Sequence, residues 1–459
     1  MKITERNSTR LLLAIQFLER FAYTNVLVQL PIYISQKGIE NTLAWGQELK
    51  GWIFFVWALI QNLTPVFLGV LADRISPKKT IYLSLIFVSI GYLFLVFSNS
   101  FTLILLSVVL IGFGSGGFKP SIQSLLSQSN KKIWAKYLFV NNFAFLCALI
   151  FSSYIKNFDW KFVFISSFLI CLSNVLISMI VYLKTKSNTY KTDEQFKSFE
   201  KVRFSEILNI LKEKKILLII GFTSCFAIIY MQFYETFPNF IVDWVDTSSV
   251  AQTLHFPENL TISTDQGKQI SYELLYLINP ILILLFVATL QKITERTNVL
   301  NIILLSLFLV SFGFAICGST RNGLIFISGI FVYTLGEMLF NIKILEIIAK
   351  VSPIDKRATY YGIINISYTI GLTSGALSGG YFYKEFAEKF SLANRYIQEN
   401  LFLKFSNEPY EIIKNLLKTE NVTQFLWTFY KPYYFWTPYI IIGFFGILLA
   451  LICKKYKLD

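Results

Sequence analysis

Four polar side chains in the first apolar run of the chain are spaced to share one face of a helix. Gln16, Glu19, Arg20 and Tyr23 stand at positions i, i+3, i+4 and i+7 of an otherwise apolar stretch. A carboxylate and a guanidinium in such a stretch must face a protein interior or a water-filled cavity, because charged groups are costly in hydrocarbon. The stripe therefore indicates either a buried ion pair that holds helices together or a site for a charged solute.

Other ionisable side chains fall inside apolar runs further along the chain. Lys119 and Glu337 have no opposite charge along their own helices, so their partners must come from other helices or from a solute. Glu235 has two interpretations: a gate that pairs with a cation from the first half of the chain, or a polar group that only packs between helices. Glu346 and Lys343 share a helix face, and we expect an ion pair between them near the membrane surface.

The composition shows what kind of protein carries these charges. Of 459 residues, 54% are hydrophobic and only 15% are charged, whereas soluble domains average about 25% charged residues. Most of the 42 lysines and arginines fall in segments that a twelve-span layout places on the inner side, so the positive-inside rule explains the net charge of +14. We therefore expect a protein of the cell membrane with cytoplasmic termini, and no nucleic-acid partner.

Twelve apolar runs are long enough to cross a bilayer as helices, and they fall into two sets of six. The runs cover residues 11–34, 51–72, 80–97, 101–127, 134–155 and 161–184, then 214–241, 270–291, 298–317, 323–349, 357–381 and 435–453. The expected fold class is an all-α polytopic membrane protein with twelve transmembrane helices.

The polar segments between these runs predict the domain organisation. A lysine-rich stretch, 185–213, separates an N-terminal six-helix bundle, 1–184, from a C-terminal six-helix bundle, 214–459, and serves as a cytoplasmic linker. The second bundle contains a long outer loop, 382–432, in which helical spacing of apolar residues around Tyr410 predicts an amphipathic surface helix.

Two sets of six helices joined by a basic inner loop resemble the major facilitator superfamily, whose two halves rock about a central site. The segment from Gly69 to Lys79 contains Asp73 and Arg74 and resembles the inner-loop motif of that superfamily, although Ser76 and Pro77 replace its later glycine. This motif predicts a transporter fold with two six-helix bundles, and it carries no information about the substrate.

Several further motifs resemble the proton-dependent oligopeptide transporters within that superfamily. The run from Gln16 to Tyr23 is similar to the E-x-x-E-R-F-x-Y signature of that family's first span. Four other matches follow in the family's order, namely Gly114 to Ser121 with Lys119 and Pro120, then Asn142, then Ile278-Asn279-Pro280, and finally Gly336-Glu337.

The resemblance implies a proton-coupled importer of di- and tripeptides that needs no cofactor or metal. It implies that Glu337 faces the amino end of the peptide, and that Arg20 and Lys119 serve its carboxylate end. Tyr23, Asn142 and Asn279 would then line the cavity. The partners would be a small peptide, protons and the lipid bilayer, and the transporter would be a monomer.

The departures from the family pattern keep a second function open. Gln16 stands where the family has its first glutamate and cannot titrate, so Glu19, Glu235 or Glu337 would have to carry the proton. The alternative is a transporter of the same fold for an organic anion, a nitrate-like anion or a drug, with weak or absent proton coupling.

Two functions of other classes find little support in the sequence. A membrane-embedded enzyme would need a metal cluster or a nucleophile motif, and the chain has one histidine and five scattered cysteines. A sensor built on the same fold would bind a solute without net flux.

Overall fold

A computed structural model provides the three-dimensional structure. It describes the chain apart from residues 1–4, 38, 40, 128–132, 187–209, 258–260, 265–266, 354–356, 418–420 and 456–459. The predicted linker 185–213 therefore lies mostly outside the described residues, as do the side chains of Asp73 and Arg74 in the inner-loop motif.

Helices account for nearly all of the described secondary structure. The first six are α1 (Glu5–Ser35), α2 (Gln47–Ile75), α3 (Pro77–Val96), α4 (Phe101–Ser127), α5 (Ile133–Ile155) and α6 (Trp160–Lys186). The next group is α7 (Lys214–Glu235), α8 (Phe237–Trp244), α9 (Ser248–Thr253), strands β1 (Thr261–Thr264) and β2 (Gly267–Ile270), α10 (Tyr272–Tyr276), α11 (Ile278–Thr294), α12 (Val299–Ser319) and α13 (Gly323–Val351). The last group is α14 (Arg357–Phe386), α15 (Lys389–Glu399), α16 (Pro409–Leu417), α17 (Val422–Tyr430), a 3-10 helix (Pro432–Trp436) and α18 (Thr437–Lys455).

The long helices match the predicted membrane spans. Ten helical segments of the described chain are long and apolar enough to cross a bilayer, and α2 and α14, with 29 and 30 residues, bring the number to twelve. An apolar segment in a bilayer forms a helix because only a helix satisfies every backbone amide and carbonyl within the segment itself. The expectation of an all-α polytopic protein with twelve such helices is confirmed.

The seventh predicted span is divided in two, which corrects its boundary. The apolar run 214–241 predicts one helix, but α7 ends at Glu235 and α8 begins at Phe237 after the single residue Thr236. Pro238 lies in the first turn of α8, where its missing amide hydrogen costs nothing. The break places Glu235 at the end of one helix and the next polar residues on a separate short helix.

The predicted outer loop after α14 is mostly helical. The amphipathic helix expected around Tyr410 is present as α16, and α15 and α17 flank it without having been predicted. The side chain of Asn421 caps α17 by accepting a hydrogen bond from the amide of Gln424 at 2.7 Å. An antiparallel hairpin of β1 and β2, paired from Thr261 with Ile270, was also not predicted.

The chain divides into two compact units that each combine distant parts of the sequence. Unit 1 comprises Met1–Leu27, Phe55–Ser224 and Ile348–Thr373, and unit 2 comprises Val28–Phe54, Cys225–Ile347 and Ser374–Asp459. Each unit contains parts of α1, α2 and α14, so the division does not follow the sequence halves. The predicted organisation into residues 1–184 and 214–459 stays a prediction.

Candidate functional site

In unit 1, the polar stripe of α1 and the basic residue of α4 line one small cavity. The lining residues are Gln16, Glu19, Arg20, Tyr23, Gln61, Ser115, Phe118 and Lys119. The structure therefore brings together four of the predicted site residues, Glu19, Arg20, Tyr23 and Lys119. Ser115 shares a face of α4 with Phe118 and Lys119, which lie three and four residues after it.

The charges of this cavity sum to a positive value. Glu19 is 4% exposed, whereas Lys119 is exposed towards the cavity. The guanidinium carbon of Arg20 lies 5.1 Å from the ring centre of Tyr23, a cation–π contact, and the Tyr23 hydroxyl donates to Gln61 Oε1 at 3.0 Å. Two cations and one carboxylate leave one positive charge, which suits an anionic group of a solute.

Gln16 is held by a residue that the sequence did not single out. Its amide Nε2 donates to Asn141 Oδ1 on α5 at 2.8 Å. The neighbouring Asn142 instead donates to the carbonyl of Leu138 on its own helix at 3.0 Å, and it is not among the residues that line the cavity. The predicted role of Asn142 in substrate binding stays a prediction.

In unit 2, Asn279 and Glu337 are directly bonded. Asn279 Nδ2 donates to Glu337 Oε2 at 2.7 Å and to Thr334 Oγ1 at 3.2 Å. Thr334 and Glu337 are three residues apart and share a face of α13, while Asn279 lies at the start of α11. Within the described ranges, no cation lies at ion-pair distance from Glu337, which is 4% exposed.

Aromatic side chains of α7 and α13 pack together in the same unit. The hydroxyl groups of Tyr230 and Tyr234 are 3.0 Å apart, and the rings of Phe226 and Phe340 stack with centres 3.8 Å apart. The ring of Tyr333, four residues before Glu337, stacks on a neighbouring phenylalanine of α7. Tyr234 and Tyr333 lie close enough to Glu337 for its charge to act on them.

Glu235 pairs with a lysine that the sequence analysis missed. Lys50 Nζ lies 3.5 Å from Glu235 Oε1, with both side chains fully buried, and it donates to the main-chain carbonyl of Glu235 at 2.9 Å. Gly379 on α14 permits this packing, because a Cβ atom there would clash with Glu235 Oε2. Lys50 precedes the apolar run 51–72 by one residue, so sequence reasoning placed it outside the membrane.

Lys343 and Glu273 are two further buried charges. Lys343, 2% exposed, pairs with Glu346 at 2.7 Å as expected and also donates to the last carbonyl of α11, that of Thr294, at 2.8 Å. Glu273 in α10 is fully buried and accepts from Gln29 Nε2 at 3.0 Å. It lies near the start of the predicted run 270–291, although the sequence analysis did not single it out.

Comparison with known proteins identifies the family of this chain. The family model described as Major Facilitator Superfamily matches residues 12–376. The quinolone resistance protein NorA of Staphylococcus aureus is 29% identical over 133 residues, which are 28% of this chain and 31% of that protein. The uncharacterized transporter YclF of Bacillus subtilis is 26% identical over 112 residues, 24% of this chain and 23% of that one. The match thus spans less than a third of either curated relative.

Solved structures share the fold over nearly the whole chain. A POT family transporter in complex with a thioalcohol-conjugated peptide superposes with a TM-score of 0.68 at 14% identity, covering 98% of this chain and 96% of that one. The nucleoside transporter NupG superposes with a TM-score of 0.64 at 14% identity, covering 97% and 99%. At these identities the likeness shows the fold, which agrees with the two-bundle transporter architecture expected from the sequence.

Proposed function

This chain belongs to the Major Facilitator Superfamily and is a multi-pass membrane transporter rather than an enzyme, and we propose that it carries small peptides together with protons by alternating access. The proposed cargo is a di- or tripeptide, as in the proton-dependent oligopeptide transporters. The proposal places the protein in the cell membrane, with cytoplasmic termini, as a monomer without a cofactor.

The observation that carries this proposal is the separation of charge between the two candidate sites. Arg20 and Lys119 leave the cavity of unit 1 with one excess positive charge, and Glu337 in unit 2 carries a negative charge that only neutral groups contact in the described ranges. A zwitterionic peptide has one carboxylate and one ammonium group. We propose that the cationic cavity serves the carboxylate and that Glu337 serves the ammonium group.

Both charges of a peptide interact more strongly with opposite charges in such sites than in water, because Coulomb interactions strengthen as the local dielectric falls. Recognition of the two termini would also leave the side chains of the peptide free to vary. The crystallised peptide transporters that share this fold support the same class of cargo.

Proton coupling is proposed for Glu19, Glu235 and Glu337. Each is a buried carboxylate inside a long apolar helix, and carboxylates at membrane depth form the proton relays of transporters. Gln16 cannot take part, and its amide is occupied by Asn141. Glu235 would act at a gate, because its partner Lys50 comes from the first half of the chain, as one of the two interpretations of its sequence requires.

The second candidate is a transporter of the same fold for another solute, such as an organic anion or a drug. Its specific support is the local similarity to the quinolone resistance protein NorA, together with the neutral Gln16 at a position where peptide transporters carry an acid. In this function the aromatic side chains near Glu337, Tyr234 and Tyr333, would contact an organic cation or a flat ring system.

The deciding experiment is uptake of labelled dialanine into proteoliposomes with and without an inward proton gradient. The wild-type protein should show gradient-driven uptake that Glu337→Gln abolishes. A matched control is Glu295→Gln, the same change at an exposed residue that follows the end of α11. Uptake that survives Glu337→Gln would contradict the proposed role of Glu337.

The same preparation separates the two candidate functions. If the folded wild-type protein does not take up dialanine, counterflow assays with quinolones, nucleosides and small carboxylates identify the cargo. A cargo found in that assay would overturn the peptide proposal and leave the transporter fold unchanged.

A further inference from the structure

A directional chain of hydrogen bonds connects Lys50 with a second carboxylate, Asp243. Lys50 Nζ donates to Asn239 Oδ1 at 3.0 Å, Asn239 Nδ2 donates to Gln36 Oε1 at 2.8 Å, and Gln36 Nε2 donates to Asp243 Oδ1 at 2.7 Å. An ammonium group can only donate and a carboxylate can only accept, so the charges at the two ends fix the orientation of both amides. We call these four residues and Glu235 the Lys50 network.

The Lys50 network joins elements that are far apart in sequence. Lys50 lies in the first turn of α2 and Gln36 follows the last residue of α1, whereas Glu235 ends α7 and Asn239 and Asp243 lie on α8. All five side chains are buried, with exposures between 0% and 6%. In the predicted orientation of the chain, these contacts hold the outer ends of α1 and α2 against the second half of the sequence.

Asp243 is held by neutral donors only. Besides Gln36, the hydroxyl of Tyr383 on α14 donates to its Oδ2 at 2.8 Å, and the backbone amide of Lys389 lies 3.5 Å from the same oxygen. Each of these bonds stabilises the ionised carboxylate, but none of them supplies a compensating positive charge.

The charges within the Lys50 network do not cancel. One ammonium group, that of Lys50, faces two carboxylates, those of Glu235 and Asp243. If all three are ionised, a fully buried cluster carries one excess negative charge, which is costly in a medium of low dielectric. One bound proton makes the cluster neutral.

The charged groups around Asp243 do not remove this excess. Glu388 is 4% exposed, and the next residue, Lys389, places its ammonium group 5.1 Å from the ring centre of Tyr410. These two opposite charges offset each other. The ammonium of Lys37 lies over the ring of Phe390, 4.3 Å from its centre.

Burial governs the acidity of Asp243, which lies outside the membrane-spanning helix α7. Removal from water raises the pKa of this carboxyl to about 6, although the hydrogen bonds from Tyr383 and Gln36 lower it and the charge of Lys389 does so as well. In the separated, hydrated state the ordinary aspartate value of about 3.9 applies. The assembled network therefore binds the proton more tightly than the separated one.

We infer that assembly of the Lys50 network takes up one proton, shared between Glu235 and Asp243, and that Asp243 is a proton-binding site of this transporter. The use of this proton in transport rests on the proposed function, whereas its uptake by the network does not. By linkage, the assembled network is most favoured below about pH 4, and assembly weakens as the pH rises from there towards about 6, above which neither state holds the proton.

The test measures assembly directly, by electron–electron resonance between spin labels at Leu49 on α2 and Thr428 on α17. Both positions are exposed, and the labels are placed in a chain whose five native cysteines are replaced by alanine. No substrate is added. Between pH 8 and pH 5 the wild-type protein should shift from a longer to a shorter distance population.

Neutralising either carboxylate should abolish this response. Asp243→Asn and Glu235→Gln each leave one cation with one carboxylate, so each variant should keep the short distance at every pH. Asp243→Glu should restore the response, and Asp159→Asn, which removes a carboxylate far along the chain beside α6, should leave it intact. A full pH response in Asp243→Asn overturns the inference, and so does a wild-type protein whose distances do not change with pH.

A second variant, Tyr383→Phe, tests the role of Asp243 even if Asp243→Asn does not fold. Tyr383→Phe removes one donor to the ionised carboxylate and should move the midpoint of the distance change upward by about one pH unit, a tenfold gain in proton affinity. An unchanged midpoint contradicts the role of Asp243.

The outcomes separate this inference from the proposed function. A protein that transports peptides with protons but keeps its pH response in Asp243→Asn retains the proposed function and loses this site. A pH response that needs Asp243, in a protein that carries no peptide, retains the site and loses the proposed cargo.

Discussion

The side-chain amide of Asn279 donates a 2.7 Å hydrogen bond to Glu337, which lies 58 residues further along the chain. This bond fixes the rotamer of a carboxylate that no cation contacts in the described ranges. The amide thus acts by positioning Glu337.

This relationship predicts the effect of removing the amide. Asn279→Ala should raise the apparent KM for dialanine about tenfold, because a hydrogen bond to a charged group is worth about 1.5–3 kcal/mol. Asn400→Ala is the matched control and should change KM less than about twofold, since the side chain of Asn400 donates to the carbonyl of Tyr396, four residues earlier in the outer segment. Initial uptake rates over a range of dialanine concentrations measure both. Equal effects of the two changes would contradict a positioning role for Asn279.

The cationic cavity of unit 1 predicts which end of the cargo Lys119 recognises. Wild-type protein should prefer dialanine over dialanine amide by about tenfold or more, because the amide has no carboxylate to pair with a cation. Lys119→Gln should lose most of this preference while it keeps its discrimination against N-acetyl dialanine. Competition against labelled dialanine gives the four affinities of a double-mutant cycle. A preference that is unchanged by Lys119→Gln would show that the carboxylate binds elsewhere.

The buried ion pair between Lys50 and Glu235 predicts that removing one charge destabilises the protein more than removing both. Lys50→Met leaves Glu235 without its cation, and breaking a buried pair in this way costs about 3–5 kcal/mol. The double variant Lys50→Met/Glu235→Gln should regain much of this loss, because no uncompensated charge remains. Thermal unfolding in detergent measures the change in Tm.

An exposed ion pair that also involves α2 provides the control for that prediction. Lys384 and Glu48 are 3.1 Å apart, with 41% and 47% of their side chains exposed. Lys384→Met should cost less than about 1 kcal/mol, since surface ion pairs contribute little. Similar Tm losses for Lys50→Met and Lys384→Met would argue against a buried pair.

The hydrogen bonds of Asp246, which follows α8, predict that the segment around it becomes less stable at low pH. Burial tends to raise the pKa of Asp246, but hydrogen bonds from Ser248 and Gln269 and the charge of Arg321 together hold this pKa below its ordinary value. The stabilisation is therefore complete above about pH 4 and is lost as the pH falls through the lowered value.

Hydrogen exchange tests this dependence. In the wild-type protein, peptides that cover β2 should be protected at pH 7 and lose protection below about pH 4, after correction for the intrinsic exchange rate. Asp246→Asn should lower protection at pH 7 and show no further loss in acid. A pH profile shared by the two proteins would mean that Asp246 does not stabilise this segment.

The class of fold and one of the two candidate sites could be predicted from the sequence alone. Long apolar runs can only be helical in a bilayer, so the number of spans and the all-α architecture followed from composition and length. The cavity of unit 1 was also accessible from sequence, because Glu19, Arg20 and Tyr23 share one helix face and helical periodicity alone puts them together.

Which charges meet across helices depends on the tertiary packing. Lys50 and Glu235 are 185 residues apart, and nothing in either local sequence specifies the other, because the pairing depends on how α2, α7 and α14 pack. The local sequence of Asp243 does not specify its hydrogen-bond partners either, since Gln36 follows α1 and Tyr383 lies on α14. Local spacing determines a helix face, whereas the burial of a charge and the choice of its partner are properties of the packed whole.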